Sequence, residues 1–331
     1  MMTRIAMRRR GLLSAALALA AARPVMAQAV KLVLQLNYVP SGFHSPLFLG
    51  VQRGWYKEAG VDLEIRDGRG SGPTINLVAA GQVDVGYVDL SALALAVAKG
   101  VPAKAIAMLI RTSGQGVIVA KGSGLRKPED FRGKEIITNS SSTEAAFFKG
   151  FLATAGMTER DAKIVGVDSA AKEASILLGR GDGAVAPLPY LKSLLDGKRD
   201  FDFVPFAAFG VDLLDNGLVA GETAIRTKGP TLKSFLAVTA RAYQYSIDNQ
   251  PEEAVRAMIA MRPDAGINPK VAADFFRYDI PLIASATTQG KPIGYMSAAD
   301  WDHAVATLKR LGLIATEVKA ADMYDTSFQP S

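Results

Sequence analysis

Two α/β lobes followed by a helical C-terminal part are the fold this sequence predicts, and three observations carry the expectation. Short Val/Ile/Leu-rich runs alternate with longer amphipathic stretches from residue 31 to residue 221. The helical stretches stop at Gly60, Gly81 and Gly100, each followed at once by a new apolar run; glycine just past a helix adopts the left-handed conformation that closes it without a Cβ penalty. The chain has 331 residues, 49% apolar and 21% charged, enough for two domains of ordinary size. Strand–helix–strand alternation of this kind builds a mostly parallel sheet with helices on both faces.

Taken in order, 31–36 reads as a buried strand and 46–53 as a helix. The pair repeats at 61–65 with 74–80 and at 83–88 with 90–99, and 103–110 is a further strand. A second set opens after "RTSGQG", with strands at 117–120 and 135–138, a helix over 142–155, a strand at 163–167 and a helix over 170–178. A strand at 184–186, a helix over 188–195 and a strand at 201–206 complete it, and 216–221 suits a strand returning to the first set. Beyond Pro230 the pattern is helical, over 231–248, 251–261, 269–277 and 298–311. Trp55, Tyr56, Phe147, Phe148 and Phe151 fall at packing spacings, which assigns them to the core.

Ahead of the first strand lies "MMTRIAMRRRGLLSAALALAAARPVMAQA": a basic stretch ending at Arg10, an apolar run over 11–22, then Val25-Met26-Ala27. This is the layout of a secretory signal over 1–27, with cleavage expected after Ala27. "RRGLL" also resembles a twin-arginine signal, so both export routes are open. The apolar run is shorter than the ~20 residues of a membrane span, and no later run approaches ~18. The segment holds five arginines and no acid, so removing it takes the formal charge from +6 to +1. Nucleic acid therefore drops out as a partner. The absence of cysteine excludes disulfides, thiolate metal sites, cysteine nucleophiles and a lipid-modified N-terminal cysteine. The mature protein is expected to be soluble outside the cytoplasm, a monomer without cofactor or metal.

Open parallel sheets bind ligands beyond the C-terminal ends of their strands, where loops enter helix N-termini, and four stretches qualify. "NYVPSGFHSP" (37–46) offers Asn37, Tyr38, Phe43 and His44; Ser45 suits an N-cap and Pro46 the first helical position, which leaves His44 just outside the helix. On its own, His44 fits four roles: catalytic base, metal ligand, ligand-reading side chain or plain loop residue. "GRGSGP" (68–73) combines glycines that admit a ligand close to the backbone with Arg69 and Ser71, and matches neither the phosphate loop nor the dinucleotide fingerprint. "DLS" places Asp89 and Ser91 at a strand-to-helix turn.

The fourth stretch, "TNSSSTEAAFF" (138–148), supplies Ser140, Ser141, Ser142 and Thr143. Ser141 and Glu144 fit a capping box, and hydroxyls at a helix start also hold polar or anionic groups. Asp89 and Ser141 are caps by general preference, which does not stop a cap from touching a ligand. Arg69 reads by default as a solvated loop charge, and His303, on an ordinary amphipathic helix, as structural or exposed.

No Gly-x-Ser-x-Gly elbow and no His-x-x-x-His pair occurs, so an enzyme is not expected. "LQLNYVPSGFHSPLFLGVQRGWYKEAGVDLEI", "GRGSGPTINLVAAGQVDVGYVDLSALALAVAKG", "LRKPEDFRGKEI" and "WDHAVATLKRLGLI" follow one another along the chain. Together they resemble the periplasmic solute-binding proteins of ABC importers, in the group containing thiamine-pyrimidine-precursor, aliphatic sulfonate, taurine and nitrate binders. The resemblance implies a type II periplasmic-binding-protein fold: two mostly parallel sheets with helices on both faces, a hinge of two crossings near 111–116 and 210–217, and a helical C-terminal part. Lobe I would comprise 28–112 and 217–331, and lobe II 113–216.

The same resemblance implies capture of a small molecule and its delivery to a membrane permease with its ATPase subunit. Closure would bury the ligand between Tyr38, Phe43, His44, Arg69 and Asp89 on one lobe and residues 140–143 with Tyr190 on the other, making His44 a ligand contact. Tyr38, Phe43, His44 and Asp89 favour an aromatic or heteroaromatic solute, carboxylated or not, such as a pyrimidine precursor. Arg69 and 140–143 favour the alternative, a sulfonate, taurine or nitrate. An enzyme on the same fold is the alternative of a different class.

Overall fold

The computed structural model describes residues 29–140, 142–249, 251–315 and 317–329. The export segment expected over 1–27 and Ser141 lie outside the described residues. The first set of elements is β1 (Val30–Gln35), α1 (Ser45–Gln52), α2 (Trp55–Glu58), β2 (Val61–Arg66), α3 (Ser71–Ala79), β3 (Val85–Asp89), α4 (Leu90–Val97) and β4 (Ala103–Met108). The second is β5 (Gln115–Ala120), β6 (Glu135–Asn139), α5 (Glu144–Ala153), β7 (Lys163–Val167), α6 (Ser169–Leu178), β8 (Gly183–Pro187), α7 (Leu188–Leu195) and β9 (Phe201–Pro205). β10 (Asn216–Gly221), α8 (Glu222–Asp248), α9 (Glu252–Met261), α10 (Pro269–Asp279) and α11 (Ala298–Arg310) follow.

Two five-stranded sheets result, ordered β2-β1-β3-β10-β4 and β7-β6-β8-β5-β9. Their plans are alike. In each, three strands run parallel (β2-β1-β3 and β7-β6-β8), and the fourth position is taken by an antiparallel strand that has just crossed from the other sheet (β10 and β5). β5 follows the crossing after β4, and β10 follows the crossing after β9. The central strands β3 and β8 are buried on both faces over their first four residues, as expected where helices cover both sides of a sheet. The five aromatic residues assigned to the core are all buried.

α8 starts nine residues earlier than the sequence pattern suggests. It is broken at Lys228, where φ is −121°, and Pro230 is the cause: proline lacks the N–H that would continue the ladder and disfavours helical backbone just before it. The chain after α10 does not keep to one sheet. The C-terminal end of α11 rests on the second lobe, where Leu311 and Leu313 pack over Gly150 of α5 and Arg310 donates to the Gly210 carbonyl. Residues 294 and 323–325 then hydrogen-bond along β4, covering an edge that would otherwise template foreign strands. Arg111, in the first crossing, forms a buried ion pair with Asp300 of α11.

Candidate functional site

The loop leaving β1 is zipped to the loop leaving β2: the Gly68 N–H donates to the Tyr38 carbonyl at 3.0 Å and the Gly70 N–H to the Asn37 carbonyl at 2.6 Å. Only glycine fits at 68, since a Cβ there would lie 1.8 Å from the Leu36 carbonyl oxygen. A 3-10 turn over Gly42–His44 then runs straight into α1. Ser45 is therefore already helical rather than the expected cap, and its hydroxyl donates to the Gly42 carbonyl at 2.7 Å.

This junction turns the His44 ring inward and buries it completely. Nδ1 accepts the Ser41 N–H at 3.2 Å and Nε2 pairs with Asn37 Oδ1 at 3.0 Å, which fixes the tautomer with hydrogen on Nε2. Burial lowers its pKa to about 3, so the imidazole is neutral. Asn37 Nδ2 donates to Asn216 Oδ1 at 2.9 Å, and Asn216 donates in turn to the Asp215 carboxyl. His44 thus holds Asn37, and through it the end of the second crossing. Phe43, beside it, lies edge-on to Phe275 of α10, with ring centroids 5.1 Å apart.

From the second sheet, β6 ends at Asn139, whose side chain donates to Ser169 Oγ at 2.8 Å. Glu144 reaches back from the first turn of α5 to accept the Asn139 N–H at 2.7 Å, and its other oxygen pairs with Lys172 of α6. The carboxylate expected to complete a capping box with Ser141 is committed to these partners instead. Ser142 Oγ accepts the Glu144 N–H at 3.2 Å. Tyr190, from α7, donates to Glu173 Oε2 at 2.8 Å, and its ring centroid lies 5.6 Å from that of Phe275.

These groups enclose a cavity of about 170 Å³ between the two sheets, on the scale of the ~150 Å³ cavity that holds one benzene ring. Rings of Tyr38, Phe43, Tyr190 and Phe275 line it. So do five carboxyl groups: Asp89, Asp215 and Asp279 from the side of the first sheet, Glu144 and Glu173 from the other. Lys172 is the one cationic side chain in this wall among the described residues, and it is paired with Glu144. Asp89 Oδ1 caps α4, accepting from Ser91 N–H at 2.7 Å and Ala92 N–H at 3.0 Å.

Burial pushes Asp89 up to about 7. Asp215 is pushed up to about 8, by burial first and by the charge of Asp89 second. Asp279, only 4% exposed, is raised well above the usual carboxylate range by burial and then by Asp215. Its Oδ2 has no hydrogen-bond partner among the described residues, and neither has Gln115 Oε1 in the same wall. Burial also raises the Tyr38 and Tyr190 phenols, which stay neutral. A box with aromatic walls and surplus acceptors suits a flat ring carrying N–H donors or positive charge. It offers an anion no unpaired cation.

Of the residues singled out in the sequence, Asn37, Tyr38, Phe43, Ser71, Asp89, Ser142, Thr143 and Tyr190 line this cavity. His44 lies outside the wall, held in the network behind Asn37. Ser91 is buried elsewhere, its hydroxyl donating to the Leu214 carbonyl at 2.9 Å and tying α4 to the second crossing. Arg69 is exposed and outside the wall, although Gly70 and Ser71 beside it are buried in it. Ser140 is exposed, its N–H extending the β6–β7 pairing to the Val167 carbonyl.

Sequence reasoning passed over Ser169, Lys172 and Glu173, although they follow a strand end just as residues 89–91 do. Asp215 and Asn216 carried a weaker signal, as the residues that open the returning strand. Phe275 and Asp279 carried none; they share a face of α10 at a spacing of four.

The NMT1/THI5-like family description matches residues 42–254. A 4-amino-5-hydroxymethyl-2-methylpyrimidine phosphate synthase of Saccharomyces cerevisiae is 34% identical over 109 residues, covering 32% of this chain and 32% of that protein. The chain thus spans about a third of the length of that curated relative. The formylaminopyrimidine-binding protein of Halalkalibacterium halodurans is 22% identical over 299 residues, covering 88% of this chain and 89% of that one. Among solved structures, the alkanesulfonate-binding protein SsuA of Xanthomonas axonopodis pv. citri, bound to MOPS, is similar with a TM-score of 0.70 at 16% identity, over 91% of this chain and 100% of that one. The likeness at that identity is one of fold, the periplasmic-binding-protein fold.

Proposed function

This chain belongs to the NMT1/THI5-like family, and from that premise we propose that it is the extracytoplasmic substrate-binding component of an ABC importer. Its solute is a small aminated aromatic heterocycle of the pyrimidine-precursor kind, passed unchanged to a membrane permease and its ATPase subunit. The observation that carries the reading is the cavity between the two sheets, which has the volume of one ring, aromatic sides and an excess of buried acceptors. The curated relative of similar length that binds a formylaminopyrimidine supports the same class.

In this reading the solute ring lies among Tyr38, Phe43, Tyr190 and Phe275, and its N–H groups donate to Asp89 and its neighbouring carboxyls. Residues 28–112 with 217–331 and residues 113–216 act as the two lobes, turning about the crossings that follow β4 and precede β10. Export with cleavage after Ala27 completes the picture; the intact mass of the exported protein checks it.

The deciding experiment pairs mass spectrometry of solute released from purified protein with a thermal-shift panel of aminopyrimidines, alkanesulfonates and nitrate. A ligand at 100 times its Kd stabilises by about 2.7 kcal/mol, so an aminopyrimidine is expected to raise the melting midpoint clearly. A rise with a sulfonate or nitrate and none with any aminopyrimidine would overturn the reading.

A second reading, an enzyme acting on the same ring, draws on the synthase relatives, which match 32% of the chain. It is disfavoured by His44, a buried neutral imidazole with both nitrogens engaged and therefore a poor proton shuttle. Chemical change of a bound aminopyrimidine during incubation with purified protein would revive it.

A further inference from the structure

We propose that the cleft takes its solute as an organic cation, in exchange for protons held by Asp89, Asp215 and Asp279; the inference rests on the solute-receptor reading of this same site. Three aspartates converge on one wall, and among the described residues of that wall the one positive side chain is Lys172, which Glu144 already occupies. Asp215 feels the charge of Asp89, and Asp279 that of Asp215; three negative charges in one buried wall are not sustainable without compensation. Either protons or a cation must supply it.

An independent observation singles out Asp279 as the candidate contact. Asp279 Oδ2 is buried in the wall without a hydrogen-bond partner among the described residues, and leaving such an acceptor unmet is costly. Backbone N–H groups of Ser91 and Ala92 donate to Asp89 and Asn216 donates to Asp215, but the remaining surroundings supply no further positive charge. Glu144 on α5 and Glu173 on α6 add carboxyl groups, Tyr190 on α7 already donates to Glu173, and His44 is neutral. Tyr87 and Tyr243, electrostatically coupled to Asp279, are buried phenols held neutral, and Arg69 is exposed outside the wall. A cationic ligand, donating to Asp279 and to the Asp89–Asp215 pair, therefore displaces the protons into solvent. Amidinium, aminopyridinium and ring-borne ammonium groups have the required chemistry.

Three probes of one shape and different charge test this: benzamidine (cation), benzamide (neutral) and benzoate (anion). Titration calorimetry of each, in phosphate and in Tris, reads affinity and proton exchange together. Benzamidine is expected to bind at least about tenfold more tightly than benzamide, with proton release approaching one, and benzoate not to bind. Benzamidine affinity should rise up to about tenfold between pH about 6.5 and about 7.5. Asp215→Asn and Asp279→Asn, each nearly isosteric, should reduce both the preference for the cation and the protons released.

Equal affinity for the three probes, tighter binding of benzoate, or benzamidine binding without proton release overturns the inference and leaves the receptor standing. So does a co-purifying solute in a protein that ignores benzamidine. Silence towards all three probes and towards the aminopyrimidine panel overturns receptor and inference together.

Discussion

His44 and Asp89 have opposite relations to the cavity. His44, which the sequence presented as a ligand contact, spends both ring nitrogens inside its own lobe. His44→Ala should therefore act mainly on stability, lowering the unfolding free energy by about 2–4 kcal/mol in urea titration, through a cavity and two unmet polar groups. Its pKa in the folded protein is about 3 against an ordinary 6.5. The unfolded chain thus binds a proton that the folded one refuses. Its contribution is complete above pH about 6.5 and is lost on acidification towards pH about 3, with a slope up to roughly 1.4 kcal/mol per pH unit. Urea midpoints of the wild type and His44→Gln, compared across that window, should show the shallower slope in the variant.

The aspartates carry the opposite sign. Asp89 and Asp215 are raised by burial to about 7 and about 8, so the folded state holds protons that the unfolded state has already lost. Their contribution is greatest below the usual carboxylate pKa and drains away as pH rises through about 7–8. The ligand-free protein should melt lower at pH about 8.5 than at about 6.5, and Asp215→Asn should flatten that trend. Asp89→Asn preserves an acceptor for the α4 cap, whereas Asp89→Ala should cost a further ~1 kcal/mol in melting experiments.

At the scale of elements, Gly42 sets the distance between the 3-10 turn and α10. A Cβ there would stand 2.1 Å from the Ala272 carbonyl oxygen. Gly42→Ala should push α10 outward, separate Phe43 from Phe275, and cost about 1–3 kcal/mol in thermal or urea unfolding, with weaker solute binding.

Element order was legible because strand, helix and glycine stop are local signals: β7, α7 and β10 fall where their patterns end. Part of the cavity wall was legible for the same reason, since ligands gather at parallel-strand ends and Asn37, Ser71, Asp89 and Ser142 lie there. Asp279 and Phe275 were not, because their meeting with Asp89 depends on how α10 docks, and no local pattern encodes that. Arg69 and Ser91 fall outside the cavity wall for a related reason. A loop position marks a side chain as near a site without saying which way it points.

At the scale of the molecule, the two sheets are joined by more than the crossings flanking β5 and β10. The Arg111–Asp300 pair fastens the first crossing to α11, and both side chains are buried. Arg111→Ala would leave Asp300 buried without its cation, at a cost of about 3–5 kcal/mol by urea unfolding. Ligand-induced closure should shrink the radius of gyration in solution scattering, and the same variant should blunt the difference between loaded and empty states. α11 also means that neither lobe is a severable module. A fragment spanning 113–216 would be shorn of the apolar surface that Leu311 and Leu313 provide over Gly150 of α5. Recombination that trades this lobe between related genes must import a helix from the far end of the reading frame, or the graft exposes its interior.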